Sequence, residues 1–298
     1  MQLPPATDPT SWELRGIHAR ETGRHDEALA CFEQAVARGA GARAWLGMAL
    51  SQIDLDQDDG AIASLHRAAA LAPHSAVVAH TLAALTGNNP ERAPDIYVAW
   101  LFGRRAVSFD NHLAALAYRG PEMLAGLADR FCRPDGTLDI LDLGCGTGLS
   151  GVPFRGHARR LEGIDLVPAM IEQARRRGIY DRLHLGEIHD VLADLPDAGF
   201  DLMLAADTLI YVGRIDRLVA ETARILKPGG SFLFTVESGT DGDGFRLARS
   251  GRYSHAADYI HAVADGCLQV ADHAEGMIRL ENGKFTAGCA WRLVRPQG

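Results

Sequence analysis

The chain has 298 residues, a formal net charge of −8, 47% apolar and 23% charged residues. That length suits two domains, and an acidic chain with no basic block disfavours a nucleic-acid partner, whose phosphates need clustered Lys and Arg. No apolar run approaches the ~18 residues of a membrane span. The five cysteines (Cys31, Cys132, Cys145, Cys267, Cys289) form no CxxC pair, which argues against a disulfide framework or zinc ribbon and suits a reducing compartment, the cytoplasm. MQLPPATDPT has neither a basic flank nor an apolar core, so no secretory signal is expected.

The first ninety residues repeat. Trp12, Ala28, Phe32 and Ala35 recur 33 residues later as Trp45, Ala61, Leu65 and Ala68, and Pro73 closes the second unit. Each unit reads as helix, turn, helix, with small residues where two helices cross. Gly16 and Ala49 occupy one such position; Ala19 stands where a tyrosine is usual. The pattern resembles the tetratricopeptide repeat. A further helix over about 76–85 would cover the open end, and TGNNPERAP then breaks the pattern. Two and a half repeats over 1–90 leave two readings open: a groove for a protein partner, or a cap that packs on the next domain or on a second copy.

Residues 91–120 form a connecting stretch. Its aromatic set (Tyr97, Phe102, Phe109) with Leu101, Leu113 and Leu116 suggests a helix pair over a cleft, with Phe109-Asp110-Asn111-His112 at the mouth. The plain alternative is core packing for the aromatics and solvent for Asp110 and His112. PEMLAGLADRFC is the next amphipathic helix, with proline in its first turn.

From Leu138 short apolar runs alternate with helical stretches. Strands are expected near 138–143, 160–165, 182–186, 200–206 and 230–238, and helices near 149–156, 168–177, 211–226 and 255–264. This predicts an α/β, doubly wound sheet covered on both faces, the domain occupying 121–298. Two late runs, 267–280 and 285–295, flank Glu281-Asn282-Gly283, a strong hairpin signal.

LDILDLGCGTGLSG ends an apolar strand in Asp142 and places glycines at 144, 146 and 148. Glycine there lets backbone approach a ligand, and a helix opening near Leu149 would suit an anion. The spacing departs from G-x-G-x-x-G, no GKS or GKT follows, and Asp142 would repel a pyrophosphate but not a cation. Asp165 closes the second strand, where a carboxylate accepts both hydroxyls of a ribose. DLGCGTG, GIDLVPAM, LGEI, AADTLIYV and LKPGGSFLF, in this order, resemble the class I S-adenosylmethionine-dependent methyltransferases. With the repeats, FDNHL, YRGPEML and GRYSHAADYI, the whole chain resembles bacterial predicted methyltransferases that bear tetratricopeptide repeats.

The resemblance implies S-adenosylmethionine as cofactor and a seven-stranded sheet. It implies that Gly144, Cys145, Gly146 and Gly148 form the loop under the methionine part, and that Asp142 holds the ammonium directly or through water. Asp165 would take the ribose, and Leu166 and Met170 would flank the adenine, with Ile188 on the opposite face. Glu187 stands where the family often has an aspartate for the adenine amine, and Asp207 closes the fourth strand facing the crevice. Cys145 reads as small and buried rather than nucleophilic.

The acceptor would enter above the carboxyl ends of the strands. Tyr211 follows the fourth strand, and FRLARSGRYSHAADY crowds Arg246, Arg249, Arg252, Tyr253 and His255 together. Arg246, Arg252 and Tyr253 are expected substrate contacts, suited to an anionic acceptor such as a carboxylate or phosphate; a solvated loop is the alternative. For an acceptor that must lose a proton, His255 is the expected general base and Tyr211 the second choice. ADTLIY lacks the Asn-Pro-Pro-Tyr pattern of adenine and glutamine amide methylation. No metal is implied. The reading is methyl transfer to a small anionic metabolite or to a protein side chain presented by the repeats. Its rival is an interaction protein that binds the cofactor without turning it over.

Overall fold

The computed structural model describes residues 8–239, 244–281 and 283–297. Two sequence expectations touch positions outside the described residues: the leader reading of residues 1–7 and Asn282 of the hairpin turn. The chain divides into two units, one reaching Asn89 and including Ala248–Gly251, the other comprising Pro90–Leu247 and the chain from Arg252 onward.

The first unit is all helical: α1 (Pro9–Glu21), α2 (His25–Ala37), α3 (Ala42–Asp54), α4 (Asp58–Leu71) and α5 (Ala76–Thr86). Asp8 caps α1 by accepting the Ser11 N–H at 3.0 Å, with Pro9 in the first turn, and Gly87 ends α5 in the left-handed conformation. The recurring positions are the core: Ala28, Phe32, Ala35, Ala61, Leu65 and Ala68 are all buried. Gly16 and Gly47 leave the space that the Phe32 ring fills, since a Cβ at Gly16 would stand 2.9 Å from it. Removing that ring would cost about 3–5 kcal/mol. Within the same unit Arg249 pairs with Asp58 at 2.7 Å and with Asp56 at 3.0 Å.

The second unit opens with α6 (Asp95–Gly103), α7 (Phe109–Ala115) and α8 (Gly120–Ala128). An alternating run follows: β1 (Leu138–Leu143), β2 (Ala158–Asp165), α9 (Pro168–Arg177), β3 (Arg182–Leu185), α10 (Ile188–Asp194), β4 (Phe200–Ala205), α11 (Asp216–Ile225) and β5 (Leu226–Ser238). Short strands β6 (Phe245–Leu247) and β7 (Tyr253–His255) precede α12 (Ala257–Ala264), and β8 (Gln269–Glu281) and β9 (Lys284–Val294) close the chain. Strands β3-β2-β1-β4-β5 pair in parallel, β9 joins β5 antiparallel, and β8 joins β9 antiparallel. This is the expected seven-stranded doubly wound sheet with its terminal hairpin; β6 and β7 are additions.

Alternation along the strands explains why both faces are covered. Leu141, Leu143, Met203, Phe232 and Phe234 pack with Leu218, Val219 and Ile260 on one face. Ile140, Leu202, Leu204 and Leu233 pack with Leu124 and Leu127 on the other. The parallel strands therefore all end at one edge, where their following loops converge.

Two expected helices changed. No α-helix opens near Leu149; Val152–Phe154 form only a short 3-10 turn, because Gly148, Gly151 and Pro153 interrupt the stretch. The anion site predicted at that helix start is therefore absent among the described residues. The helix expected over 211–226 begins at Asp216, after a 3-10 turn over Leu209–Tyr211. No described helix is long and apolar enough to cross a membrane, and no group of three His, Cys, Asp or Glu suitable for a metal occurs among the described residues.

Candidate active site

The carboxyl ends of β1, β2 and β4 frame a cavity of about 270 Å³. Gly144, Cys145, Gly146, Asp165, Leu166, Met170, Glu187, Ile188, Asp207, Tyr211 and Arg252 line it. Among the predicted site residues, Asp142, Gly148, Arg246, Tyr253 and His255 do not.

The three glycines of the loop all adopt left-handed φ, +64° at Gly144, +54° at Gly146 and +92° at Gly148, a region that strains any side chain. Their surroundings differ. A Cβ at Gly144 would collide with the Thr208 side chain, whose Oγ1 donates to the Leu143 carbonyl at 2.7 Å. One at Gly148 would stand 2.9 Å from the Tyr180 ring. Nothing lies within 4 Å of a Cβ at Gly146. Two glycines thus serve internal packing, and Gly146 faces the open cradle.

Asp165 is tied to that cradle. Its Oδ2 accepts the Gly146 N–H at 2.8 Å and its Oδ1 the Val167 N–H at 2.8 Å. Burial pushes the carboxyl up to about 6, while the two backbone N–H groups pull it down. Each oxygen keeps a further lone pair for a hydroxyl. Leu166 and Met170 pack with Phe102 and Phe109 of the covering helices.

Asp142 lies behind the loop, fully buried. Its Oδ2 accepts Ser150 Oγ and Tyr180 OH, both at 2.7 Å. Burial pushes it up to about 7 against those two hydrogen bonds. Asp142 thus stands behind the cavity wall as a brace of the loop, and its Oδ1 is buried without a hydrogen-bond partner. Cys145 is 3% exposed and packs with Ile171, Ala174, Tyr180 and Leu183. Burial raises its thiol well above the usual range, so the thiolate is suppressed. Glu187 caps α10: its Oε2 accepts the His189 N–H at 2.8 Å and the Asp190 N–H at 3.3 Å, and Oε1 meets Arg92 at 3.1 Å.

On the acceptor side the largest correction concerns His255. It is 2% exposed, and Nε2 donates to the Val212 and Gly213 carbonyls, each at 3.0 Å. Burial lowers its pKa to about 4, and the ring stacks on Tyr259. The imidazole is a neutral structural donor and has no face to the cavity. Tyr253 is buried with its ring 6.1 Å from that of Phe245, and Arg246 is exposed on β6. Tyr211 does line the cavity, its ring edge-on to Phe102 at 5.4 Å, and burial raises its phenol.

Arg279, Tyr118 and Arg177 were not read from the sequence, whereas Asp110 and His112 were expected at the mouth of the cleft. Arg279 of β8, 4% exposed, lines the cavity and pairs with Asp207 at 2.6 Å and with Glu237. Tyr118 and His112 line it too; burial and the nearby Arg105 lower the His112 pKa. Arg177, taken from an arginine run that reads as solvated, turns inward: its Nε donates to the Thr147 carbonyl at 2.8 Å and Nη2 meets Asp110. Asp110 also accepts Thr147 Oγ1 at 2.5 Å, fastening α7 to the glycine loop. The hairpin is stitched to the same cover, Leu280 N–H to the Leu116 carbonyl at 2.7 Å and Arg119 N–H to the Ile278 carbonyl at 2.8 Å. A lone arginine in the alternating stretch MIRLE was the one signal for Arg279.

Residues 141–234 match the family model described as "Methyltransferase domain". Together with the sheet order, this defines the class: a class I S-adenosylmethionine-dependent methyltransferase domain. The chain is 35% identical over 139 residues to malonyl-[acyl-carrier protein] O-methyltransferase of Serratia marcescens, covering 47% of this chain and 52% of that protein. It is 31% identical over 139 residues to methyltransferase-like protein 27 of Homo sapiens, covering 46% and 56%. The chain thus spans about half the length of these curated relatives. Among solved structures, the partner of the Haloferax volcanii Trm112 methyltransferase activator superposes with a TM-score of 0.52 at 20% identity, over 67% of this chain and 98% of that one. That identity shows the fold alone.

Proposed function

We propose that this chain transfers a methyl group from S-adenosylmethionine to a small molecule held in the cavity between the strand ends and helices α6 and α7. The observation that carries the reading is the open cradle at Gly146, hydrogen-bonded to Asp165 and continuous with the cavity. Asp165 accepts the ribose hydroxyls; Leu166, Met170 and Ile188 enclose the adenine; Gly144 and Gly146 bring backbone beside the methionine part. When bound, the cofactor supplies a carbon already activated by its sulfonium. The chain's own task is to hold the acceptor in line at about 3–3.5 Å and to exclude water, which Phe102, Phe109 and Tyr211 do from the cover. An open cavity beneath that cover favours the enzyme over a cofactor-binding module without turnover. Calorimetric titration with S-adenosylmethionine tests the cofactor, and labelled methyl incorporation into a cell extract tests the transfer. Absence of cofactor binding would end this reading.

Helices α1–α5 are read as two and a half tetratricopeptide-like repeats that serve association, with a partner protein or a second copy. The recurrence of buried Gly16/Ala49, Ala28/Ala61 and Phe32/Leu65 supports it. Loss of residues 1–90 without change in activity or in mass by light scattering would remove it. A cytoplasmic setting is part of the reading, in keeping with five unpaired thiols.

A further inference from the structure

Two guanidiniums and three carboxylates meet at the acceptor end of the cavity, and their pairing decides what that end can receive. Arg279 sends Nη1 to Asp207 at 2.6 Å, Nη2 to Glu237 and Nε to Glu281 at 3.4 Å. Arg252 sends Nε to Glu237 at 2.9 Å and Nη2 to Glu281. Both arginines, expected to greet an anion, are already committed to acids. With all three acids ionised, three negative charges face two positive ones where water screens them little; burial raises the Asp207 carboxyl while Arg279 and Arg252 pull it down, and a bound cation would favour its ionised form. The two arginines hold Glu281 below its ordinary range against the burial that raises it. Asp207 keeps a left-handed backbone, φ +54°, a conformation that non-glycine residues hold mostly where the surroundings enforce it.

The rest of that end is aromatic and apolar. Tyr118 and Tyr211 line it, with Leu113, Leu116 and Ile210. Carboxylates beside phenol rings form the chemistry that recognises an alkylammonium. Arg105 and His112 also line the cavity, but from the exposed side of the covering stretch, where solvent screens them.

We propose that the acceptor is an amine on an apolar body, bound as its ammonium between Tyr118, Tyr211 and the Asp207 and Glu281 carboxylates, with Glu237 behind them holding both arginines. This rests on the methyl-transfer reading above and names its substrate class. The ammonium gives one proton to a carboxylate of the group. The freed nitrogen lone pair forms the N–C bond, and the C–S bond breaks with its electron pair remaining on sulfur. Ammonium and sulfonium thus yield a methylated ammonium, a thioether and a proton, which passes to water. Positive charge moves from sulfur to nitrogen, toward the fixed negative group that stabilises it. A carboxylate acceptor would instead be repelled as a reactant, and neither arginine could meet it without abandoning a buried acid.

The test titrates the full chain, loaded with S-adenosylhomocysteine, with phenethylamine and with 3-phenylpropionate, which differ in the charged end. Phenethylammonium should bind at least about tenfold tighter. Glu281→Gln should weaken it at least about fivefold while changing cofactor affinity less than about twofold. Equal or tighter binding of 3-phenylpropionate, no binding of the ammonium, or indifference to Glu281→Gln, each with cofactor binding intact, would overturn the amine assignment and leave the methyl-transfer reading standing. Failure of cofactor binding would overturn both.

Discussion

Asp165 Oδ2 accepts the Gly146 N–H at 2.8 Å, so the acid that ends the second strand also fixes the one loop glycine with open space above it. A carboxylate held by two backbone N–H groups is fixed in place and keeps lone pairs for a further donor. The proposed ribose site and methionine cradle would then form one feature.

Cofactor affinity should therefore follow the charge of Asp165. Burial brings its pKa up to about 6, and hydroxyl donors favour the ionised form. Affinity should weaken as pH falls through about 6, and Asp165→Ala should bind S-adenosylmethionine at least about tenfold more weakly. Calorimetry across that range checks both; a flat pH profile would detach Asp165 from the ribose.

The loop glycines should separate by phenotype. Gly144→Ala meets Thr208 and should lower stability by about 1–3 kcal/mol. Gly146→Ala meets nothing in the protein and should cost only about 1–2 kcal/mol for its left-handed backbone while obstructing the cofactor. Denaturation midpoints paired with cofactor titrations distinguish them. Equal cofactor affinity in Gly146→Ala and wild type would contradict the open cradle.

Arg279→Met strips the buried acids of their shared partner, and a loss of about 3–5 kcal/mol is expected near neutral pH. The penalty comes from Asp207, whose carboxyl burial already raises, held ionised without Arg279, so it should shrink as pH falls and Asp207 protonates. Thermal unfolding at about pH 7.5 and about pH 5 measures it. A loss that is the same at both would mean packing, not charge, dominates.

Asp142 has a folded pKa of about 7, above its ordinary 3.8. Its contribution to stability is complete below the unfolded value and disappears as pH rises through about 7, because the buried group must then ionise. Asp142→Asn should accordingly gain on wild type between about pH 4 and about pH 7 in urea unfolding, with no further gain above that. A pH-independent difference would show that Tyr180 and Ser150 stabilise the charge after all.

His255→Ala should lower the melting temperature and spare cofactor affinity, since its Nε2–H serves the Val212 and Gly213 carbonyls. Leaving buried carbonyls unmet costs about 1–3 kcal/mol. Loss of turnover at unchanged stability would return His255 to the chemistry.

Local pattern was enough for the sheet. Near-continuous apolar runs at 138–143 and 200–205 mark parallel strands because both faces are buried, and Asp165 at a strand end was visible because strand length sets where the edge falls. The late runs gave β8 and β9 through the Asn282-Gly283 turn signal between them. The loop's glycines were legible as left-handed positions, but which of them faces a ligand was not. That depends on Thr208 and Tyr180, which lie 64 and 32 residues away from Gly144 and Gly148.

The acceptor side is where pattern misled. Arginines and a histidine close together in sequence between Arg246 and His255 read as one cluster, yet they fall on two short antiparallel strands and the turn between them, which send them to different surroundings. Arg246 went to solvent and Arg252 to the cavity. His255 found backbone carbonyls, and Arg249 found Asp58. The guanidinium that matters most came from Arg279 on the terminal hairpin.

Sequence by itself determined the main strands, the doubly wound class and the strand-end acid of LDILDLGCGTGLSG and GID, because those rest on period, strand length and backbone conformation, all local properties. Only the tertiary structure decided that Asp142 braces the loop from behind, that Gly146 is the one of the three loop glycines with open space beside it, and that Arg252 and Arg279 are already paired with acids. Each of these depends on which distant side chains share a buried volume, and charges in such a volume answer to their nearest partners rather than to their neighbours along the chain.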